Sequence, residues 1–203
     1  MPIKGRKSTP SKSRSPGKNS NKYDYVELSK ASLSSAEPCH FYGVVVDATF
    51  PYKVNADRFI CSLKVVDPTL HSKGNYASIV LYANKFEDLP IVHRLGDLIR
   101  VHRANMRLYN NRRQFNVNMF YKSSWALYST DKNTPLGQSS GDGPYAFSGK
   151  RSTHERQDSA IQQTLKKWAN NLFSSSNVAD NNVTQLNRAS KASGDFDVVA
   201  KVL

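Results

Sequence analysis

The amino-acid sequence predicts an all-β fold with small helical additions, in which five strands close into a Greek-key barrel. Two observations predict the strands. Five segments are rich in β-branched and aromatic residues that alternate with polar ones, and turn residues such as Gly, Pro, Asn and Asp separate them. A third observation concerns the helices. Apolar residues follow helical spacing in two segments, a short one before the fourth strand and an amphipathic one towards the C-terminus, so the predicted helical content is small.

The first three predicted strands are residues 41–47, 58–66 and 76–83. The second alternates most clearly, since Lys64 falls on the side opposite Cys61 and Leu63. This alternation predicts that Lys64 points away from the barrel core.

The connections between these strands differ in character. Residues 48–57 are predicted as a loop that exposes Phe50, Tyr52 and Lys53, a set of rings and a cation suited to stacking on a ligand rather than to a simple polar turn. After the third strand, residues 86–95 carry apolar side chains at helical spacing, and Pro90 predicts that this helix is short.

The last two strands form a predicted hairpin within residues 98–125. Asn110 and Asn111 are its turn, since Asn tolerates the positive φ angles that tight hairpin turns require. The resulting register pairs Leu108 with Arg113, Met106 with Phe115, and Ala104 with Val117. One face is then apolar and predicted to meet the core (Ala104, Met106, Leu108, Phe115, Val117, Met119), and the other is polar (Arg103, Asn105, Arg107, Tyr109, Arg112, Gln114, Asn116, Asn118).

The charge of this hairpin is one-sided. No carboxylate lies between Asp97 and Asp131, whereas the same span holds Arg100, Arg103, Arg107, Arg112, Arg113 and Lys122. Together with the amides and the ring of Tyr109, this composition favours a ligand with phosphates and exposed bases. The alternative is a basic, solvated strand pair whose tyrosines pack on neighbouring residues.

Three strands, a short helix and two strands are the order of an oligonucleotide/oligosaccharide-binding (OB) barrel. In that fold the ligand meets the face of strands two and three and the loops that join strands 1–2 and 4–5. These loops correspond here to residues 50–53 and 109–113, so the aromatic and cationic residues fall where such a barrel binds.

The predicted barrel domain is residues 23–130. Before it, residues 1–22 hold seven Lys or Arg and no acid, which predicts a disordered basic tail. The segments after it are a linker (131–157), an amphipathic helix that packs on the barrel (158–173), a second linker (174–194) and the first strand of a truncated second OB fold (195–203). The chain is therefore expected to be a fragment.

The net charge of +13 indicates nucleic acid or an anionic membrane as partner, and no apolar run approaches membrane-spanning length. We expect an intracellular protein with no membrane partner. Two cysteines and five histidines lack metal-ligand spacing, so neither a metal nor another cofactor is expected. An enzyme is not expected either, because the strand-end acids Asp47, Asp57, Asp67 and Asp97 share no catalytic motif.

Several long segments carry a specific resemblance to a known family. They include YDYVELSKASL, DATFPYKVNADRFICSLKVVDPTL, LIRVHRANMRLYNNRRQFNVNMFYKSSW and GDFDVVAKVL. From residue 23 to residue 203 the chain resembles the N-terminal part of the ciliate telomere end-binding alpha subunits, relatives of the protection-of-telomeres family. The match is weakest in residues 1–22 and 131–160.

The resemblance implies a nuclear protein at the chromosome telomere, whose first two OB folds cap the single-stranded, G-rich 3′ end of telomeric DNA. It implies that Tyr109 and Tyr121 stack bases, that Lys53 and Lys64 meet phosphates and that Phe50 helps to form the pocket. It further implies that Asp195 and Asp197 accept hydrogen bonds from guanine edges. The implied protein partner is a beta subunit, engaged mainly through the missing C-terminal part, and a homodimer is a further hypothesis.

The sequence leaves one alternative function open: an OB-fold adaptor that mainly mediates protein–protein assembly at telomeres. For the capping function, the predicted nucleic-acid-binding residues are Phe50, Tyr52, Lys53, Lys64, Arg103, Asn105, Arg107, Tyr109, Arg112, Arg113, Gln114, Tyr121, Asp195 and Asp197.

Overall fold

The structure, a computed structural model, describes residues 22–31, 38–72, 75–130, 143–149 and 153–175. Its strands are β1 (Cys39–Ala48), β2 (Tyr52–Asn55), β3 (Arg58–Val66), β4 (Ala77–Ala83), β5 (Leu98–Tyr109), β6 (Arg112–Asn118), β7 (Ser124–Tyr128) and β8 (Ala146–Phe147), and the helix α1 is Arg156–Ser175. Two 3₁₀ turns, Leu28–Lys30 and Phe86–Asp88, precede β1 and β5 respectively.

Five of these strands close into the predicted barrel. Their order is β1-β3-β4-β6-β5, and β5 pairs back with β1. All neighbouring pairs are antiparallel except β4 with β6, which is parallel. The barrel interior is filled by alternate residues of each strand, such as Phe41, Leu63, Ile79 and Phe115, which are almost completely buried. The predicted all-β fold with an OB barrel is confirmed.

The central hairpin has the predicted turn. Asn110 and Asn111 adopt positive φ angles of 49° and 60°. The register pairs Leu108 with Arg113 and Met106 with Phe115, as predicted. Leu108 itself is 51% exposed rather than buried, because the tip of the hairpin extends past the end of the core that its other apolar residues reach.

The structure differs from the sequence prediction in three connections. Residues 52–55, predicted as part of a loop, form β2 and pair with β3. β7 and β8 extend the sheet beyond β5, and β8 lies within the segment predicted as a linker. The short helix predicted over residues 86–95 is a single 3₁₀ turn, because the backbone is already extended at Leu89, directly before Pro90.

A bulge divides β5 into two parts. Val101 pairs with Phe41, but Ala104 pairs with Cys39, so an extra residue is accommodated between them. Arg103, at this point, has a φ angle of 60°. Inward-facing residues of a strand are normally two residues apart, whereas Val101 and Ala104, which both point into the barrel core, are three apart. The extra residue at the bulge accounts for this spacing.

The C-terminal helix α1 covers the first part of β5, together with β1 and β7. Its extent exceeds the predicted 158–173 by two residues at each end. A second apolar cluster joins Leu165 and Ala169 of α1 to Tyr42, Leu98 and Tyr128 of the barrel. The predicted amphipathic packing is therefore observed. No helix in the part of the chain that the structure describes is long and apolar enough to span a membrane.

A buried polar cluster fixes α1 on the barrel. The carboxylate of Asp158 is fully buried and lies 3.3 Å from Nη1 of Arg100. It also accepts hydrogen bonds from the hydroxyls of Tyr25 and Tyr42, at 2.5 and 2.7 Å, and from the backbone N–H of Glu155. Burial alone would raise the pKa of Asp158, but these hydrogen bonds and the positive charge of Arg100 outweigh it and lower the pKa.

Candidate nucleic-acid interface

The outward side of β3, β4, β6 and the second part of β5 is the candidate interface, here called the outer face. Cross-strand partners share a side of a sheet, so the register defines its rows. The first row is Lys64, Ser78, Gln114 and Arg107, the second is Ser62, Val80, Asn116 and Asn105, and the third is Tyr52, Ile60, Tyr82 and Asn118. None of these twelve side chains is acidic.

The three rows differ in the chemical groups that they present. The first row contributes cations, the second amides and a hydroxyl, and the third aromatic rings and an amide. Successive rows lie about 6.7 Å apart, because they are two residues apart along each strand. The outer face therefore presents positive charge, hydrogen-bonding groups and stacking surfaces within about 15 Å.

One hollow, of about 410 Å³, lies at the hairpin turn and is lined by Tyr76, Tyr109, Arg112 and neighbouring residues. The ring of Tyr109 is 60% exposed. The guanidinium of Arg112 lies 4.5 Å from the ring centroid of Tyr76, and Nζ of Lys64 lies 5.3 Å from the same centroid. The ring of Tyr76 thus lies against two cations, and the exposed ring of Tyr109 lines the same hollow as Tyr76.

A second hollow, of about 510 Å³, lies where β6 leads into β7. Its lining includes Asn105, Asn118, Phe120, Tyr121 and Lys122. The ring of Tyr121 is 72% exposed and that of Phe120 is 41% exposed. Rings, amides and a cation therefore meet at this end of the outer face too.

The loop between β1 and β3 brings further aromatic groups to the outer face. Because β2 pairs with β3, Tyr52 stands opposite Ile60 in the third row and is half exposed. Phe50 is 72% exposed at the start of this segment. Lys53 is exposed as well, with Nζ 6.0 Å from the ring centroid of Phe59.

Three of the predicted cations have protein partners in the structure. Lys64 forms an ion pair of 2.6 Å with Asp47. Arg113 donates to the backbone carbonyls of Ser29 and Ala31, and so ties the first 3₁₀ turn to the hairpin. These contacts give both side chains a structural role in addition to the predicted one.

Arg103 is the third cation with protein partners. Its guanidinium donates to the hydroxyls of Tyr23 and Ser124, at 3.0 and 2.9 Å, and to the carbonyl of Lys122. It also lines the second hollow. The side chain therefore braces the bulge of β5 while one edge borders the outer face.

The outer face contains groups that the sequence prediction did not include among the site residues. Tyr76, Tyr82, Asn116, Asn118 and Phe120 join the predicted residues in the rows or hollows. The alternation of β4 and β6 could have identified Tyr82, Asn116 and Asn118, because each is two or four residues from another outward position. Asp195 and Asp197 lie outside the described residues.

Comparison with known proteins identifies the family. Residues 19–179 match the family model described as "Telomeric single stranded DNA binding POT1/CDC13". The chain belongs to this family.

Two relatives of the chain carry names that agree with this assignment. The chain is 54% identical to the telomere-binding protein subunit alpha of Stylonychia mytilus, over 99% of this chain and 44% of the relative. It is 56% identical to the subunit of the same name from Sterkiella nova, over 90% of this chain and 40% of the relative. The chain thus spans less than half the length of these curated relatives.

A solved structure supports the fold. The crystal structure of fission yeast Pot1 with single-stranded DNA superposes with a TM-score of 0.52 at 18% identity, covering 66% of this chain and 42% of that one. At this identity the likeness bears on the barrel architecture, which the two chains share.

Proposed function

We propose that this chain binds the single-stranded, G-rich 3′ end of telomeric DNA and caps it. The observation that carries the proposal is the outer face, where exposed rings, cations and amides follow one another across four strands. None of the twelve side chains in its rows is acidic, and Asp47, which borders Lys64 on β1, is paired with that lysine. Membership of a telomeric single-stranded DNA-binding family, and relatives named telomere-binding protein subunit alpha, support telomeric DNA as the ligand.

Stacking is the first part of the proposed mechanism. Tyr109 and Tyr121 offer exposed rings at opposite ends of the outer face, with Phe50 and Tyr52 beside it. A base can stack on such a ring only when its own face is free, so this arrangement favours unpaired strands over a duplex. Each stacked base contributes about 1 to 3 kcal/mol.

Electrostatic attraction is the second part. Arg107, Arg112 and Lys53 are exposed and reach the solvent around the rings. Phosphates that approach them release condensed counterions, which makes binding salt-dependent. Lys64 joins this set if a phosphate competes with Asp47 for its ammonium group.

The proposal includes Asp195 and Asp197 as groups that accept hydrogen bonds from N1–H and N2–H₂ of guanine. Those donors are available only in an unpaired strand, because Watson–Crick pairing occupies them. The two carboxylates would therefore favour guanine where the cationic outer face attracts the backbone of any strand.

We further propose that the protein acts without catalysis, in the nucleus at chromosome telomeres, with a beta subunit as protein partner. The names of the relatives support a telomeric location and a subunit role. No group of three or more His, Cys, Asp or Glu side chains suited to a metal ion occurs among the described residues.

A titration of the whole chain tests this function. Fluorescence anisotropy would be recorded with a G-rich telomeric single strand, the RNA of the same sequence and the corresponding DNA duplex, each at two or more salt concentrations. We expect the single-stranded DNA to bind most tightly and the duplex to bind weakly. Weak binding that is the same for all three nucleic acids would instead favour the protein-assembly adaptor.

A further inference from the structure

Asn118 is held in one orientation at the edge of the second hollow. Its Oδ1 accepts a hydrogen bond of 3.0 Å from the backbone N–H of Phe120. Since a backbone N–H can only donate, the side-chain oxygen must face it, and the amide nitrogen must point the other way. Among the described residues, Nδ2 of Asn118 has no hydrogen-bond partner.

The surroundings of this amide suit a base. The exposed ring of Tyr121 and the half-exposed ring of Phe120 line the same hollow, together with the cation of Lys122. Of the residues that the structure describes, none that lines it carries a carboxylate. A ligand group next to Asn118 therefore meets a fixed N–H donor beside a stacking surface, and the group that complements this donor is an acceptor.

We propose that Asn118 is a specificity-determining residue that donates its amide N–H to the keto oxygen of one base. Guanine O6 and thymine O4 accept such a bond, whereas adenine and cytosine carry an amino donor at the corresponding position. Asn118 would thus disfavour adenine and cytosine at that nucleotide. This inference rests on the proposed function, because it assumes that a single strand crosses the outer face.

Base analogues that replace this keto group test the proposal. In a G-rich single strand of guanine and thymine, each guanine is replaced in turn by 2,6-diaminopurine and each thymine by 5-methylcytosine. Either replacement turns the keto group into an amino group of similar size, and it also turns the neighbouring ring N–H (N1 of guanine, N3 of thymine) into an acceptor. A loss of affinity caused by the ring N–H should persist when Asn118 is changed. We expect one position at which the replacement weakens binding about tenfold and at which this loss depends on Asn118, as two donors then oppose each other.

Two variants show whether Asn118 causes that preference. Asn118→Asp keeps an oxygen for the N–H of Phe120 and replaces the donor with an acceptor, so it should prefer the amino analogue at that position. Asn118→Ser also keeps an oxygen near that N–H without adding charge, and should lose the preference. The matched control, Asn170→Asp, makes the same substitution at an exposed position on α1 and should leave the keto preference unchanged.

The outcomes separate this inference from the proposed function. A keto preference that disappears or reverses in both Asn118 variants supports it, and the analogue responsible distinguishes guanine O6 from thymine O4. Tight binding of the parent strand with no keto preference at any position overturns the role of Asn118 and leaves the proposed function standing. Preferences that Asn118→Asp leaves unchanged at every position also overturn it. Failure of the parent strand to bind overturns both.

Discussion

The two parts of β5, before and after its bulge, present arginines in opposite surroundings. Arg100 is 2% exposed, lies under α1 and pairs with the buried carboxylate of Asp158. Arg107, seven residues later on the same strand, is exposed on the outer face, in a row that contains no acid. The first arginine stabilises the fold, and the second is available for a ligand.

This difference shows that the basic residues of a sequence segment have to be separated into buried and exposed ones before the segment is interpreted as a binding surface. Both arginines belong to the span without carboxylates that suggested an anionic ligand. The acid that neutralises Arg100 comes from α1, 58 residues further along the chain. Of these two arginines, only Arg107, which lies beyond the bulge where no helix covers the strand, is open to a ligand. The following predictions test this division, from the largest expected effect to the smallest.

Removing the buried acid should have the largest effect. Asp158→Ala leaves the charge of Arg100 buried without its partner, which we expect to lower the free energy of unfolding by about 3 to 5 kcal/mol. Urea unfolding followed by tryptophan fluorescence measures this, since Trp168 lies on α1 and Trp125 in the barrel.

The matched variant on the other side of the bulge is Arg107→Ala. Its free energy of unfolding should change by less than about 0.5 kcal/mol, because the side chain is exposed. Its affinity for single-stranded DNA should fall. Equal destabilisation by Asp158→Ala and Arg107→Ala would contradict the division of β5 into a structural and a binding part.

Stacking on the outer face should show the next largest effect. Tyr109→Ala should weaken binding of a G-rich single strand by about 1 to 3 kcal/mol, whereas Tyr109→Phe should have little effect because the ring is retained. Anisotropy titrations of the two variants measure this. If both substitutions weakened binding to the same extent, the hydroxyl rather than the ring would be responsible.

The covered side should also respond to pH. Burial, and next the positive charge of Arg100, lower the pKa of His102 to about 3, and its Nε2 lies 2.8 Å from the hydroxyl of Tyr25. The unfolded chain takes up this proton near pH 6.5 but the folded chain does not, so stability falls as the pH falls. We expect a loss of about 1 kcal/mol between about pH 6 and pH 5.

Urea unfolding at a series of pH values measures that loss, and His102→Gln is the variant that should reduce it. His40, whose pKa is also lowered, contributes a slope of the same sign in both proteins. The lowered pKa of Asp158 acts in a separate range, since its contribution is complete above the ordinary pKa of an aspartate and is lost only below it. A pH profile unchanged by His102→Gln would show that His102 takes up its proton at the same pH in the folded and the unfolded chain.

The smallest predicted effect concerns a single phosphate contact. Lys53→Ala should reduce the slope of log affinity against log salt concentration by about 0.7. Lys167→Ala is the control, because it removes the same charge from an exposed position on α1. An unchanged slope in Lys53→Ala would place Lys53 outside the path of the phosphate backbone.

Much of the fold could be predicted because its signals are local. The barrel strands alternate, and the Asn110–Asn111 turn sets the register of the hairpin without help from the rest of the chain. β2 was missed, although Tyr52 and Val54 alternate ahead of the turn residues Asn55 and Asp57. The aromatic residues of that segment suggested a ligand loop, and the pairing with β3 places Tyr52 on the outer face instead of in an irregular loop.

The candidate site could be predicted in part. The rings of Phe50, Tyr109 and Tyr121 are exposed, and their contact with DNA stays a prediction. The carbonyl partners of Arg113 could not be anticipated, since Ser29 and Ala31 precede it by more than eighty residues. Nor does the sequence show which way the amide of Asn118 points.

The sequence by itself determined the five barrel strands, the hairpin register, the amphipathic helix and the absence of acids along the hairpin, because each depends on residues that are neighbours in the chain. The tertiary structure decided which of the cations are covered and which are open. That outcome depends on the bulge at Arg103 and on the helix α1, which places Asp158 beside Arg100. A charged side chain can be buried only where an oppositely charged group lies against it, and in this protein that group comes from a distant part of the chain.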